Sequence, residues 1–351
     1  MKKWLSMSVI GLIGMVVIGT ACAPPQGDEG KALTAEEFYR GATVEFIVGY
    51  PPGGGFDTYG RVVAPFLGKE LGVKQIMINN MPGGGGFGGA NWVYLKAPRD
   101  GKTISIITGG KTVLNELLGE SIPVEFKSMR EFSIISVFSQ SRELVVVTPE
   151  LPYNSLQDLK GASGLIGAAS TPFSTHGINS VIMAECLNLQ DFSVNYGYAG
   201  TADMVTAVFR GEADIMFLEA PTALPNIKAN YVKPLGTIGS DRSPYFPDLP
   251  SFAEVAVPGT ERLLEIRDGV RKTLRFWCAP PEIPEDRLEF LRQAFARMLQ
   301  NPDFQAAAEK RGLEIIDATI GEEAEAVVEK LLGLPEKDKQ ELRSMVLKYA
   351  K

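Results

Sequence analysis

The chain has 351 residues, 45% of them hydrophobic, and a formal net charge of −7 at pH 7. Nucleic-acid binding relies on Lys and Arg to neutralise phosphates, so an acidic chain without a basic cluster disfavours it. With a single histidine, His176, and three scattered cysteines, a zinc site has almost no ligands and any Ser-His-Asp chemistry depends on one imidazole.

The first feature along the chain is a leader. Lys2 and Lys3 precede an uncharged apolar run at residues 4–18, which has signal-peptide length and is short for a bilayer span. Gly19, Thr20 and Ala21 lead into Cys22, an arrangement that resembles the lipobox of bacterial lipoproteins, where the cysteine is acylated. Residues 1–21 are therefore read as a signal peptide and 22–38 as a lipid-anchored tether. The expected location is the cell envelope, periplasmic or on the outer face of the cytoplasmic membrane, with membrane contact only through Cys22. The rest of the chain is long enough for two domains.

From residue 42 short β-rich runs alternate with helical patterns. Residues 44–50 form a strand candidate ending in Pro51-Pro52-Gly53-Gly54-Gly55-Phe56-Asp57. Tyr59, Val62, Val63, Phe66, Leu67 and Leu71 then recur at helical spacing. A second strand at 76–79 runs into Asn80-Met81-Pro82-Gly83-Gly84-Gly85-Gly86-Phe87 and a short helix, and a third strand covers 103–108. This βαβαβ order predicts a mostly parallel sheet covered by helices.

A second block begins near Glu143, with strands predicted at 144–147, 165–169, 192–196 and 213–218. Helices are predicted at 155–160, 175–187 and 201–210, capped by Ser155 and Thr201 where those begin. Phe276 and Trp277 belong to a strand returning to the first block. Four charged amphipathic helices, at 284–300, 302–311, 321–332 and 335–349, then pack around that block with hardly any strand between them. Cys186 and Cys278 are read as buried thiols, with a single disulfide as the alternative.

The two Gly-rich loops each close a strand and open a helix. Glycines there let backbone N–H groups approach an anion, and a helix N-terminus favours negative charge. Neither loop carries the Gly-Lys-Ser/Thr of a P-loop or the dinucleotide fingerprint with its later acid, so the pair is read as a nest for a carboxylate or phosphate.

Residues 46–61, with Pro51-Pro52-Gly53-Gly54-Gly55-Phe56-Asp57 followed by Arg61, resemble the first signature of the solute receptors of tripartite tricarboxylate transporters, the Bug family. Residues 80–88 are similar to their second signature, and Pro98-Arg99-Asp100-Gly101-Lys102-Thr103 to the segment after it. Residues 167–176, 198–203 and 242–254 resemble three further motifs in the same order. The resemblance implies an α/β, two-lobed, type II-like periplasmic-binding-protein fold. Lobe 1 would comprise 39–141 and 274–351, with the C-terminal helices packed on it, and lobe 2 would comprise 142–273.

It further implies a cleft in which the first two loops hold a carboxylate through backbone amides and ordered water. Gly54, Gly55 and Asp57 come from the first loop, and Gly84, Gly85, Gly86 and Phe87 from the second. Ser170, Thr171, Ser174 and Thr175, with the turn Ala199, Gly200, Thr201 and Asp203, come from the other lobe. Phe56 and Phe87 replace small or polar family residues and Ala199 replaces a lysine, which favours an apolar or aromatic ligand body and removes one cation for a distal acid group. Both rings have an alternative role as plugs packed into the fold. His176 is read as a structural hydrogen-bonded group, Asp57 as a helix cap and Arg61 as a structural ion-pair partner.

The implied function is capture of a small organic acid and its delivery to the membrane subunits of a tripartite transporter. A monomer without catalytic residues, metal or cofactor is expected. Two other functions compete: a sensory lipoprotein that presents its liganded form to a membrane histidine kinase, and a hydrolase using His176 with Ser170 or Ser174.

Overall fold

The computed structural model describes residues 33–119, 124–139, 142–313 and 315–349. The leader, Cys22 and most of the tether lie outside the described residues. Residues 34–351 form one compact unit.

The described residues begin with α1 (Ala35–Tyr39), β1 (Thr43–Val48), α2 (Gly55–Leu71), β2 (Gln75–Asn80), α3 (Phe87–Leu95), β3 (Thr103–Thr108), α4 (Gly109–Leu118) and β4 (Ser133–Ser139). The chain continues through β5 (Glu143–Val147), α5 (Leu156–Leu159), β6 (Ile166–Ala168), α6 (Thr175–Cys186), β7 (Ser193–Asn195), α7 (Thr201–Phe209), β8 (Ile215–Glu219), α8 (Ala220–Lys228) and β9 (Lys233–Thr237). Next come α9 (Phe252–Val255), α10 (Glu261–Lys272), β10 (Arg275–Ala279), α11 (Glu285–Gln300), α12 (Pro302–Lys310), β11 (Ile316–Ile320), α13 (Glu322–Leu332) and α14 (Glu336–Tyr349).

Two sheets result, with strand orders β11-β4-β10-β3-β1-β2 and β7-β6-β8-β5-β9. The parallel trio predicted at the start of the chain is present: β1 lies between β2 and β3, parallel to both. Beyond it the sheet is mixed rather than mostly parallel, because β10 returns antiparallel between β3 and β4, and β11 adds antiparallel to β4. The second sheet has the same plan. Parallel β7, β6 and β8 meet β5, which is antiparallel to β8 and β9. The strand that enters each sheet after the chain has crossed over, β5 in the second and β10 in the first, runs antiparallel to its neighbours.

Alternation along the strands assigns their faces. Phe46 and Val48 meet Val63, Leu67, Trp277 and Phe295 on one side of the first sheet, while Ile47 points to the other. That other side belongs to a cluster that continues through Ile266 and Val270 of α10 to Val145, Val147 and Phe217 of the second sheet. Leu144 and Val146 face a third cluster with Met204, Val208 and Ala223. β3 and β5 are buried at every position, as strands covered on both faces must be.

Three expectations need correction. Gly200 rather than Thr201 is the N-cap of α7, and it offers no side-chain hydrogen bond, whereas Ser155 does cap α5. A strand, β11, lies within the stretch read as almost wholly helical; it is a five-residue edge strand with a register irregularity, too short and uneven to give a period-two signal. The C-terminal helices pack on the first sheet's elements, but α14 also reaches α6. There Tyr349 meets Phe192 edge-on at 5.9 Å, and Lys348 and the Tyr349 hydroxyl both donate to Glu185.

Candidate functional site

The first loop is fastened by Asp57, which is 1% exposed. Its Oδ2 accepts the Gly53 N–H at 2.8 Å and Arg61 Nε at 2.7 Å, and its Oδ1 accepts Asn80 Nδ2 at 2.9 Å. Burial pushes this carboxyl upward, but the bonds from Arg61, Gly53 and Asn80 outweigh it and hold the carboxyl below its ordinary range. Asn80 Nδ2 also donates to the Tyr50 carbonyl at 2.9 Å. Asp57 and Asn80 thus join the end of β1 to the end of β2, and the two Gly-rich loops lie side by side.

The second loop makes a turn that only glycine tolerates. Gly86 has φ 107°, and a Cβ there would lie 2.4 Å from the Tyr50 ring. The Tyr50 hydroxyl donates to the Gly85 carbonyl at 3.0 Å. Among the described residues neither the Gly84 nor the Gly85 amide donates to a backbone carbonyl. Gly54, Gly55, Gly84 and Gly85 are exposed, and the loops open α2 and α3, whose first-turn amides lack helical partners. The arrangement can meet an anion with fixed dipoles.

The two phenylalanines differ. Phe87 is 2% exposed, with its ring inside the fold. Phe56 is half-buried and stacks on Tyr50 with ring centroids 4.5 Å apart. The Arg275 guanidinium lies 4.4 Å from the Phe56 centroid and 5.0 Å from that of Tyr59. Lys111, exposed in the first turn of α4, has its ammonium beside Gly85, 3.2 Å from where a Cβ would stand. Residue patterns alone missed both cations. Lys111 follows Gly109-Gly110 at the end of β3, a third strand-to-glycine-to-helix junction, and Arg275 is the lone charge at the head of an apolar strand.

On the second sheet Ser174 caps α6: its Oγ accepts the Gly177 N–H at 3.1 Å and donates to the Thr171 carbonyl at 2.7 Å. The Gly197 N–H donates to the Ser170 carbonyl at 3.1 Å, which joins this loop to the turn carrying Ala199, Gly200, Thr201 and Asp203. Thr175 lines a small cavity with Leu114, Glu143, Asn179, Arg267 and Leu274, so the start of α6 meets elements of the first sheet. His176 Nε2 is 3.1 Å from the Phe217 carbonyl, the structural bond read for it. Cys186 and Cys278 are free and buried, and burial pushes the Cys186 thiol up to about 11. Among the described residues no group of three or more His, Cys, Asp or Glu is placed to hold a metal ion.

Two mixed sheets with Gly-rich loops at the ends of their parallel strands define a periplasmic-binding-protein-like fold. Residues 60–331 match the family described as the tripartite tricarboxylate transporter family receptor, TctC, and the chain belongs to that family. The family is one of periplasmic solute-binding receptors rather than enzymes. The chain is 25% identical to the protein BugT of Bordetella pertussis over 254 residues, 71% of this chain and 74% of that one. Among solved structures, a TctC solute-binding protein from Polaromonas superposes with TM-score 0.66 at 19% identity, covering 88% of this chain and 99% of that chain. The R. palustris protein Rpa4515 with adipate gives TM-score 0.63 at 21% identity, covering 87% and 97%. No helix among the described residues is long and apolar enough to cross a membrane.

Proposed function

We propose that this chain captures a small organic carboxylate in the cleft between its two sheets and delivers it to the membrane subunits of a tripartite transporter. The observation that carries this reading is the pair of adjoining glycine loops with exposed backbone at the starts of α2 and α3, fastened by Asp57 and Asn80 and flanked by the Lys111 ammonium. Amides of Gly55, Gly84 and Gly85 hold the carboxylate, with water completing its shell, while the Gly54 and Gly86 N–H groups, expected to join them, donate to the Pro51 and Gly83 carbonyls and shape the loops. Asp57 and Ser174 act by holding their loops, and Phe87 acts through its backbone. Ser170, Thr171, Thr175 and the turn from Ala199 to Asp203 close over the solute from the second sheet. The adipate recorded with a relative is compatible with such a solute.

A ligand that binds only the folded state raises its stability by mass action, by about 2.7 kcal/mol at a hundredfold excess over Kd. A thermal-shift screen of mono-, di- and tricarboxylates against neutral sugars should give hits among the acids alone. If sugars shift the melting temperature and no acid does, the carboxylate reading is wrong. Acylation of Cys22 is part of the proposal, and Cys22→Ser should move the protein from the membrane fraction to the soluble one; unchanged fractionation would remove the anchor.

A further inference from the structure

Four arginines are buried among the described residues: Arg267, Arg271, Arg275 and Arg292 are 4–7% exposed. Three of them grip a carboxylate. Arg267 pairs with Glu143 at 2.7 Å, Arg271 with Asp317 at 2.8 Å, and Arg292 with Glu325. This is the rule for buried charge, since a desolvated cation costs several kcal/mol unless an anion faces it. Arg275 breaks the rule: it makes no ion pair among the described residues, and its Nε has no hydrogen-bond partner.

What surrounds it is aromatic. Phe56 and Tyr59 offer their rings to the guanidinium, and cation–π contact offsets part of the desolvation without neutralising the charge. Burial holds the guanidinium below its ordinary range, and Tyr59, Glu219 and Tyr50 oppose that only in part. Glu219 stands at the end of β8 on the other sheet.

Position gives the isolated cation a meaning. β10 runs antiparallel to β3, and Arg275, its first residue, pairs with Thr108, the last residue of β3. It therefore sits at the end of the sheet where β1, β2 and β3 deliver the glycine loops. Phe56, in the first turn after the first loop, has Tyr50 stacked on it and Arg275 over its ring, while Tyr50 reaches the second loop at Gly85.

We infer that Arg275 is a specificity-determining residue that takes a second acidic group of the solute, so that the preferred ligand is a diacid with one carboxylate on the glycine loops and its other end on Arg275, along the Phe56 ring. The inference rests on the carboxylate reading proposed above. It accounts for a buried arginine left without its anion, and it supplies a cation for the distal group although position 199 is alanine.

The test is titration calorimetry with adipate, its monoamide and hexanoate, on the wild type and on Arg275→Met and Arg275→Lys. The wild type should prefer adipate to the monoamide by roughly tenfold to a hundredfold, the range for a hydrogen bond to a charged group. Arg275→Met should erase that preference while binding hexanoate as the wild type does, and Arg275→Lys should retain part of it. The ligand-free melting temperature of Arg275→Met should equal or exceed the wild type's, since an unpaired buried cation has been replaced by an apolar chain. A wild type that binds none of the three acids defeats the carboxylate reading itself. A wild type that binds acids without preferring the diacid defeats the assignment of Arg275 alone, whether or not the variants fold. Equal losses for all ligands in Arg275→Met, with a lowered melting temperature, make it a structural pillar and overturn the inference.

Discussion

At the scale of the residue, the glycine loops divide backbone from side-chain recognition. Gly85 has φ +69° and the Lys111 ammonium beside it, so a branched side chain is strained there and occupies the space a carboxylate needs. Gly85→Val is expected to abolish binding of every acid, small or bulky, in calorimetric titration; normal binding would remove the second loop from the site. Phe87→Ala should differ. With the ring buried, its loss leaves a cavity and lowers stability by about 3–5 kcal/mol, and affinities for small and bulky acids should shift together. Selective loss of bulky acids would show that the ring touches solute. Asp57 and Arg61 illustrate what was legible at this scale: Arg61, read as an ion-pair partner, pairs with Asp57, while Asp57, read as a helix cap, instead takes the Gly53 N–H ahead of the N-cap residue Gly54. Arg275 was not legible, because its meaning depends on which carboxylates fail to reach it.

At the scale of the element, the segment after β9 shows a motif acting as a staple. Arg242 grips Glu254 through Nε at 2.8 Å and Nη2 at 2.5 Å, and donates to the Pro247 carbonyl at 2.9 Å. Glu254 also completes a capping box with Ser251 at the start of α9. Hydrogen bonds from Arg242 and then from the Ser251 backbone pull the Glu254 carboxyl down to about 2. Because the folded value lies below that of an unfolded glutamate, about 4.3, the pair's contribution is present above that pH and lost as pH falls toward the folded value. Arg242→Met should thus lower the thermal midpoint at pH 6 and differ little from wild type at pH 2. Both side chains are about half exposed, so the effect is small. An equal deficit at both pH values would mean that packing of the arginine stem, not the ion pair, holds the segment.

At the scale of the whole molecule, one apolar cluster runs through both sheets, and α10 carries the charges at the crossing. Arg267 meets Glu143, the first residue of β5, and Asn179 donates to the same carboxylate at 2.8 Å. Arg271 donates to Ser139 Oγ, at the end of β4, at 2.8 Å. One helix therefore clasps the strand that leaves one sheet and the strand that enters the other. Glu143→Gln leaves Arg267 buried without its full counter-charge and should cost about 3–5 kcal/mol in chemical denaturation. A loss under about 1 kcal/mol would show that Asp268, 3.5 Å from Arg267, suffices. The crossing also marks a limit of pattern reading. α10 carries arginines on its buried side, so its sequence looks like a solvated helix while the fold uses it as an internal brace.

By itself the sequence determined the alternation of strands and helices, the two strand-to-glycine-to-helix junctions and the family. Each of these is written in neighbouring residues: period, turn chemistry and motif order act over a few positions. Only the tertiary structure decided which strands return antiparallel, that α14 reaches α6, and which cations face the loops. Strand direction at the crossings depends on β10 inserting between β4 and β3 and on β11 adding at the edge beside β4, and a charge declares its role only when its neighbours are in place. Arg275 stands 220 positions beyond Gly55 in the chain and comes to its loop through the fold. An acid or base read from sequence is a charge without a partner, and pairing is a property of three dimensions.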